Sequence, residues 1–74
     1  MKEKILLLIS KITQVDIAVL KNNLNTEGLW GSFVHIELIV NLESEFNIVF
    51  QQEEIASMKT PQIIIDKVIK KVTK

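Results

Sequence analysis

The side chains of this sequence best suited to chemistry are a serine and a histidine three residues apart. Ser32 opens a segment with helical periodicity, and His35 follows one turn later. A serine beside a histidine is the arrangement of a nucleophile and its general base. Neighbouring positions on one helix seldom align an imidazole with a serine oxygen, however, and the sequence contains no Gly-x-Ser-x-Gly motif. The pair therefore does not predict a hydrolase.

A second chemistry for Ser32 follows from its position between a loop and a helix. A serine at that junction exposes its hydroxyl near free backbone N–H groups, where a bound or attached phosphate is favoured by about 0.3–1 kcal/mol. The alternative is that Ser32 only caps the helix, which is the commonest reason for a serine at such a position. Residue types alone favour the cap.

Composition excludes several other kinds of site. The chain has no cysteine, which removes disulfides, thiolate metal sites and cysteine nucleophiles. His35 is its only histidine, so a histidine metal site is not expected. At 74 residues the chain predicts a single domain, residues 1–74, that is too small for a large catalytic cleft. A catalytic site with its own supporting shell is therefore not expected.

Helical periodicity organises most of the chain. Residues 2–14 are predicted as a helix from apolar residues at Ile5, Leu8, Ile9 and Ile12. Residues 15–31 are predicted as a long loop pinned to the core by its apolar side chains. A short helical turn is expected at 52–57, and a last helix begins with Thr60 as its cap and Pro61 at its first position. Lys70, Lys71 and Lys74 are expected near the C-terminal end of this helix, where its dipole favours cations.

The clearest helix is predicted between these segments, from Ser32 as N-cap to Asn47 as a left-handed C-cap. Its buried side is predicted to consist of Phe33, Ile36, Ile39, Val40 and Leu42. No segment alternates well enough to be a strand. The fold class is therefore all-α, a small bundle of three main helices plus one short helix.

The formal net charge is zero, but the charges are segregated along the chain. Residues 25–58 carry six glutamates and no lysine, whereas residues 1–24 and 59–74 have net charges of +2 and +4. An acidic segment that includes the best-formed helix argues against a nucleic-acid partner, because phosphate binding requires a basic face. A small helical DNA-binding domain is therefore the weaker alternative.

Several segments in this order resemble the acyl carrier protein family. They are Gly28–Phe33, Glu37–Ile39 and Leu42–Ile48, followed by the pairs Thr60–Pro61 and Ile65–Asp66. The family has a serine at the start of its second helix, a Glu-Leu-hydrophobic triplet five residues later and a closing Leu-Glu-x-Glu-Phe-Gly-Ile string. No single piece is specific, but the ordered set covers most of the chain.

The resemblance implies that a 4′-phosphopantetheine arm, derived from coenzyme A, is attached to Ser32. The thiol of the arm would carry acyl or aminoacyl groups as thioesters, so that a chain without cysteine could take part in thiol chemistry. The chain itself would not be an enzyme. The expected partners are a phosphopantetheinyl transferase and an acyl- or aminoacyl-activating ligase, synthase or transferase. The acidic recognition face of the family would correspond here to Glu37, Glu43 and Glu45.

The residues around Ser32 depart from the family pattern. Gly31 replaces the aspartate that usually precedes the serine, and Phe33 replaces the leucine that follows it. If the aspartate normally forms a rim contact with the transferase, its loss weakens the binding free energy by about 0.2–1 kcal/mol. If the contact is a buried charge pair, the loss is about 2–5 kcal/mol. The second case leaves an alternative open, a degenerate carrier fold that binds proteins without the arm.

Gly31 and Phe33 are candidates for partner recognition, and two more candidates beside Ser32 are His35 and Trp30. We expect His35 to be exposed next to the arm, where it would contact the phosphate or a partner. Trp30 is expected to anchor the loop on the core, with a contact to a partner protein as the alternative.

The longest apolar run, Ile5–Ile9, is far shorter than the ~20 residues of a membrane span. The chain is therefore expected to be cytoplasmic. A monomer is expected as well.

Overall fold

The computed structural model describes residues 1–73, and Lys74, the last of the lysines expected near the end of the final helix, lies outside them. Five helices follow one another in this range. Their bounds are α1 Lys2–Thr13, α2 Ile17–Asn22, α3 Ser32–Phe46, α4 Gln52–Ser57 and α5 Pro61–Val72. These residues form no strand, and the predicted all-α bundle is confirmed. Within the same range, no helix is both long enough and apolar enough to cross a membrane.

The core lies where α1, α3 and α5 pack against one another. It is closed by side chains from the connecting segments as well as from the three long helices. Burying one leucine or isoleucine stabilises the fold by about 1.5–3 kcal/mol, which suits a chain without disulfides. The most deeply buried side chains are Ile5, Leu6, Ile9, Leu20, Leu38, Leu42, Met58, Ile64, Ile65 and Val68.

The predicted loop at residues 15–31 is wrong over six residues, because α2 forms there. The carboxylate of Asp16 accepts a hydrogen bond from the backbone N–H of Ala18 at 2.8 Å and so caps this helix. Leu20 is completely buried, and α2 packs on α1. A helix this short depends on such packing rather than on its own propensity, which explains why periodicity did not reveal it.

The end of α3 and the starts of α4 and α5 agree with the sequence predictions. Thr60 Oγ1 accepts the N–H of Ile63 at 3.2 Å, and Pro61 occupies the first turn of α5, as predicted. Asn47 ends α3 in the left-handed conformation, with φ of 54°. At α4, the backbone N–H of Gln51 donates to Glu54 Oε1 at 2.7 Å, forming half of a capping box.

Two predictions for α3 are corrected. The N-cap is Gly31, in an extended conformation, and Ser32 is the first residue of the helix rather than its cap. The predicted buried side is also wrong for Phe33, Ile36 and Val40, which are exposed, whereas Leu38, Ile39 and Leu42 are buried. The helix is apolar on more than one side, so its periodicity did not define which face meets the core.

Candidate functional site

The Ser32 side chain lies at an open helix N-terminus. It is exposed at the first position of α3, and none of the side-chain hydrogen bonds found within residues 1–73 uses its hydroxyl. The N-cap residue Gly31 has no side chain to satisfy the first N–H groups of the helix. The first intrahelical hydrogen bond runs from the N–H of His35 to the Gly31 carbonyl oxygen at 3.0 Å. An oxygen-rich group on Ser32 would therefore meet free N–H donors.

A cavity of about 490 Å³ lies beside Ser32 and separates the start of α3 from α4. Its walls include Trp30 and Ile36 on one side and Ile55 on the other, while completely buried Met58 also lines it. Charged side chains from both flanking segments line it as well, namely Glu27 and Lys59. The site thus joins an exposed hydroxyl to a largely apolar recess.

Trp30 and His35 form one wall of this cavity. The indole Nε1–H of Trp30 donates to His35 Nδ1 at 3.0 Å, and the two ring planes are inclined by only 14°. Their centroids are 6.3 Å apart, so the rings meet edge to edge through the hydrogen bond rather than face to face. Trp30 also packs against the core, as predicted for a loop anchor.

His35 is half-buried, which corrects the prediction of an exposed histidine. Its Nε2 lies 3.1 Å from the carbonyl oxygen of Ile55, so the ring connects α3 to α4 while Nδ1 holds Trp30. The sequence could not reveal this arrangement, because Ile55 is twenty residues away along the chain. Both ring nitrogens of His35 thus have partners other than the Ser32 hydroxyl.

The three glutamates predicted as a recognition face differ in their surroundings. Glu37 is exposed and forms no ion pair within the described part of the chain. Glu43 Oε2 accepts the backbone N–H of Phe50 at 2.9 Å, which holds the segment after α3. Glu45 lies 3.6 Å from Lys4 Nζ on α1. Of these three glutamates, only Glu37 therefore presents an uncommitted carboxylate.

An exposed apolar stripe occupies the surface of α3 beside Ser32. It consists of Phe33, Ile36 and Val40, which are 78%, 62% and 57% exposed and recur with the spacing of one helix face. Glu37 lies next to this stripe. The surface of α3 beside Ser32 is thus mainly apolar and carries one carboxylate. The charge pattern of the sequence had predicted an acidic surface here.

Gly31 has no conformational need to be glycine. Its φ of −79° is accessible to any residue, and a Cβ atom added there would meet nothing within 4 Å. Gly28 differs, since its φ of +79° lies in the left-handed region that glycine adopts without penalty. The absence of an aspartate before Ser32 is therefore not imposed by the backbone.

A second group of charged side chains surrounds Glu54 on the far side of α4. The Gln51 N–H and the Lys71 ammonium, 3.1 Å away, lower the pKa of the Glu54 carboxyl below its ordinary value. Lys71 also lies over the ring of Phe50. These contacts stabilise the junction of α4 and α5.

Across residues 1–73, no group of three His, Cys, Asp or Glu side chains is arranged to hold a metal ion.

Two comparisons of the chain with known proteins found no relative. No protein-family model matches the chain, and no curated protein matches it. The interpretation of the site therefore depends on its geometry and on the ordered motifs around Ser32.

Proposed function

We propose that this chain is a carrier protein that holds acyl or aminoacyl groups on a 4′-phosphopantetheine arm attached to Ser32. The observation that carries the proposal is the exposed Ser32 hydroxyl at the open N-terminus of α3, directly beside an apolar cavity. A three-helix core with two short helices supports such a role, because it offers a tether point and a recess rather than a catalytic cleft. The chain itself performs no chemical step.

The residues around Ser32 fit a phosphodiester. The unsatisfied N–H groups at the start of α3 favour an attached phosphate, since anions are stabilised at a helix N-terminus. Lys59 and Glu27 line the same cavity with opposite charges, so the helix N-terminus rather than the cavity lining provides the favourable field. When bound, the arm supplies a thiol that forms thioesters with its cargo.

The cavity would shield the inner part of the arm or the cargo from water. Trp30, Ile55 and Met58 provide apolar contacts next to the attachment point, and each CH₂ group they bury contributes about 0.8 kcal/mol. Such shielding slows hydrolysis of a reactive ester because it excludes water. Cargo released from the recess would then be delivered to a partner enzyme.

The stripe of Phe33, Ile36 and Val40 is the surface we propose for partner enzymes. The expected partners are a phosphopantetheinyl transferase and an acyl- or aminoacyl-activating ligase, synthase or transferase. The surface area of three exposed side chains is far below the roughly 800 Å² that each partner buries in a standard stable interface. The small area suits brief contacts with successive enzymes, while Glu37 favours partners with a basic rim.

A second candidate function is a carrier-fold interaction module without the arm. It is favoured by one observation, the presence of Gly31 where the resemblance leads us to expect an aspartate that docks the transferase. The exposed stripe on α3 would then serve protein binding alone.

Incubation with coenzyme A and a broad-specificity phosphopantetheinyl transferase distinguishes the two functions. We expect the intact mass to increase by one phosphopantetheine group in the unaltered chain and in Ser44→Ala, but not in Ser32→Ala. Ser44 is the matched control because it is an exposed serine on the same helix. No adduct in the unaltered chain would favour the interaction module. An adduct that persists in Ser32→Ala would show that the arm is attached at another residue and would exclude Ser32 as its site.

A further inference from the structure

The hydrogen bonds of His35 join three separate parts of the fold. Its ring belongs to α3, its Nδ1 accepts from Trp30 in the preceding loop, and its Nε2 faces the Ile55 carbonyl oxygen of α4. The same loop is tied to α5 at its other end, where the Gln62 N–H donates to the Leu24 carbonyl oxygen at 2.9 Å. Trp30 and His35 therefore hold the end of the loop that leads into Ser32.

These contacts define which nitrogen of His35 carries the proton. An indole N–H can only donate, so Nδ1 must present a lone pair to Trp30. A carbonyl oxygen can only accept, so Nε2 must carry the hydrogen that faces Ile55. Both bonds are satisfied together only by the neutral ring protonated at Nε2.

Protonation of the ring would break one of these bonds and keep the other. An imidazolium has a hydrogen on each nitrogen, so Nδ1–H would face the indole N–H, donor against donor, while the bond to Ile55 would remain. Within residues 1–73, no charged side chain is hydrogen-bonded to either ring. Glu27 and Lys59, of opposite charge, line the cavity, and Glu54 on α4 is engaged by Gln51 and Lys71.

We propose that Trp30 and His35 form a proton-sensitive latch that closes the cavity beside Ser32. The latch is shut when His35 is neutral, and protonation of His35 releases the indole and the loop end that carries it. Histidine is the side chain that normally changes charge between pH 5 and 8, so the latch would respond to mild acidification. This inference goes beyond the proposed carrier function, because it concerns the unmodified chain and holds whether or not Ser32 bears an arm.

Release of Trp30 would change the cavity itself. The indole forms one wall, and Met58 lies at the cavity while being fully buried from solvent. When the loop end moves away, the surroundings of the Met58 methyl group change. Met1, the other methionine, is half exposed at the chain start and serves as an internal control.

Nuclear magnetic resonance of the chain labelled with ¹³C and ¹⁵N tests the latch directly. At pH 8 the His35 ring should show the Nε2–H tautomer, and the Trp30 indole proton should exchange with water about tenfold more slowly than in His35→Ala at the same pH. On acidification, once the ¹⁵N shifts of the ring show an imidazolium, the two exchange rates should become equal. The Met58 methyl signal should shift over the same pH range, whereas the Met1 signal should not.

His35→Gln is the control for general effects of acid, because its side chain is uncharged throughout this pH range. Its indole exchange relative to free N-acetyltryptophanamide should be the same at pH 5 and pH 8. If His35→Ala does not fold, the same free indole serves as the reference for the unaltered chain. An Nδ1–H tautomer at pH 8, or unchanged protection of the indole after protonation of the ring, would each overturn the latch.

Discussion

The carboxylate of Glu43 is turned back onto its own chain, where Oε2 accepts the backbone N–H of Phe50 at 2.9 Å. Glu43 is half-buried and Phe50 belongs to the core, so this bond fixes the segment between α3 and α4. A residue that the resemblance assigns to partner recognition thus has a structural task in this fold.

Replacing Glu43 by Ala should lower the free energy of unfolding by about 1.5–3 kcal/mol, because the substitution removes a charge-assisted hydrogen bond and leaves the Phe50 N–H without its acceptor. Glu37→Ala, on the same helix but exposed, should change it by no more than about 0.5 kcal/mol. Urea unfolding of both variants checks the difference. Equal stabilities would show that the Glu43 bond contributes nothing.

The bond between Trp30 and His35 should appear as a coupling energy. Trp30→Phe removes the donor and His35→Ala removes the acceptor, so each single variant leaves a half-buried polar group unpaired. The double variant should be about 1 kcal/mol more stable than the sum of the single effects implies. A thermodynamic cycle from urea unfolding measures this value, and strictly additive effects would rule out a stabilising bond.

Gly31→Asp should raise the free energy of unfolding by about 0.5 kcal/mol, because aspartate is a better N-cap than glycine and its charge suits the helix N-terminus. There is room for the side chain, since a Cβ at this position meets nothing within 4 Å. The same side chain at Gly28, where φ is +79°, should lower stability instead. Thermal unfolding of both variants checks the signs, and a loss of stability in Gly31→Asp would contradict the N-cap assignment.

Stability should depend on pH through Glu54. The Gln51 N–H and then Lys71 lower the pKa of this carboxyl from its ordinary value of about 4.5, so its contribution is present above that pH and is lost as the pH falls through the lowered pKa. Glu54→Gln should therefore be less stable than the unaltered chain at pH 7, and the difference should shrink at pH 3. Glu53→Gln, an exposed neighbour on α4, is the control, and a difference unaffected by pH would contradict the assignment.

The sequence predicted those parts of the fold whose signals are local. Thr60 and Pro61 define the start of α5, and Asn47 defines the end of α3, because caps depend on residues within one turn. The exposed stripe was missed since Phe33 and Ile36 are apolar residues on the outer face of a helix, and only packing shows which apolar face meets the core.

The candidate site was predictable at Ser32 and not at its surroundings. The position of Ser32 at the beginning of a helix follows from Gly31 and the periodicity after it. The cavity and the double hydrogen bonding of His35 require α4 to pack beside α3, and contacts such as that with Ile55 join residues far apart in the sequence. Tertiary contacts of this kind leave no pattern in a single sequence.

The most direct test of the central claim is the intact mass of this chain purified from the cells that make it naturally. A carrier should be found with one phosphopantetheine group on Ser32, and a Ser32→Ala chain produced in the same cells should lack it. Detection of only the unmodified chain, in cells where another carrier is fully modified, would contradict the account and favour the interaction module.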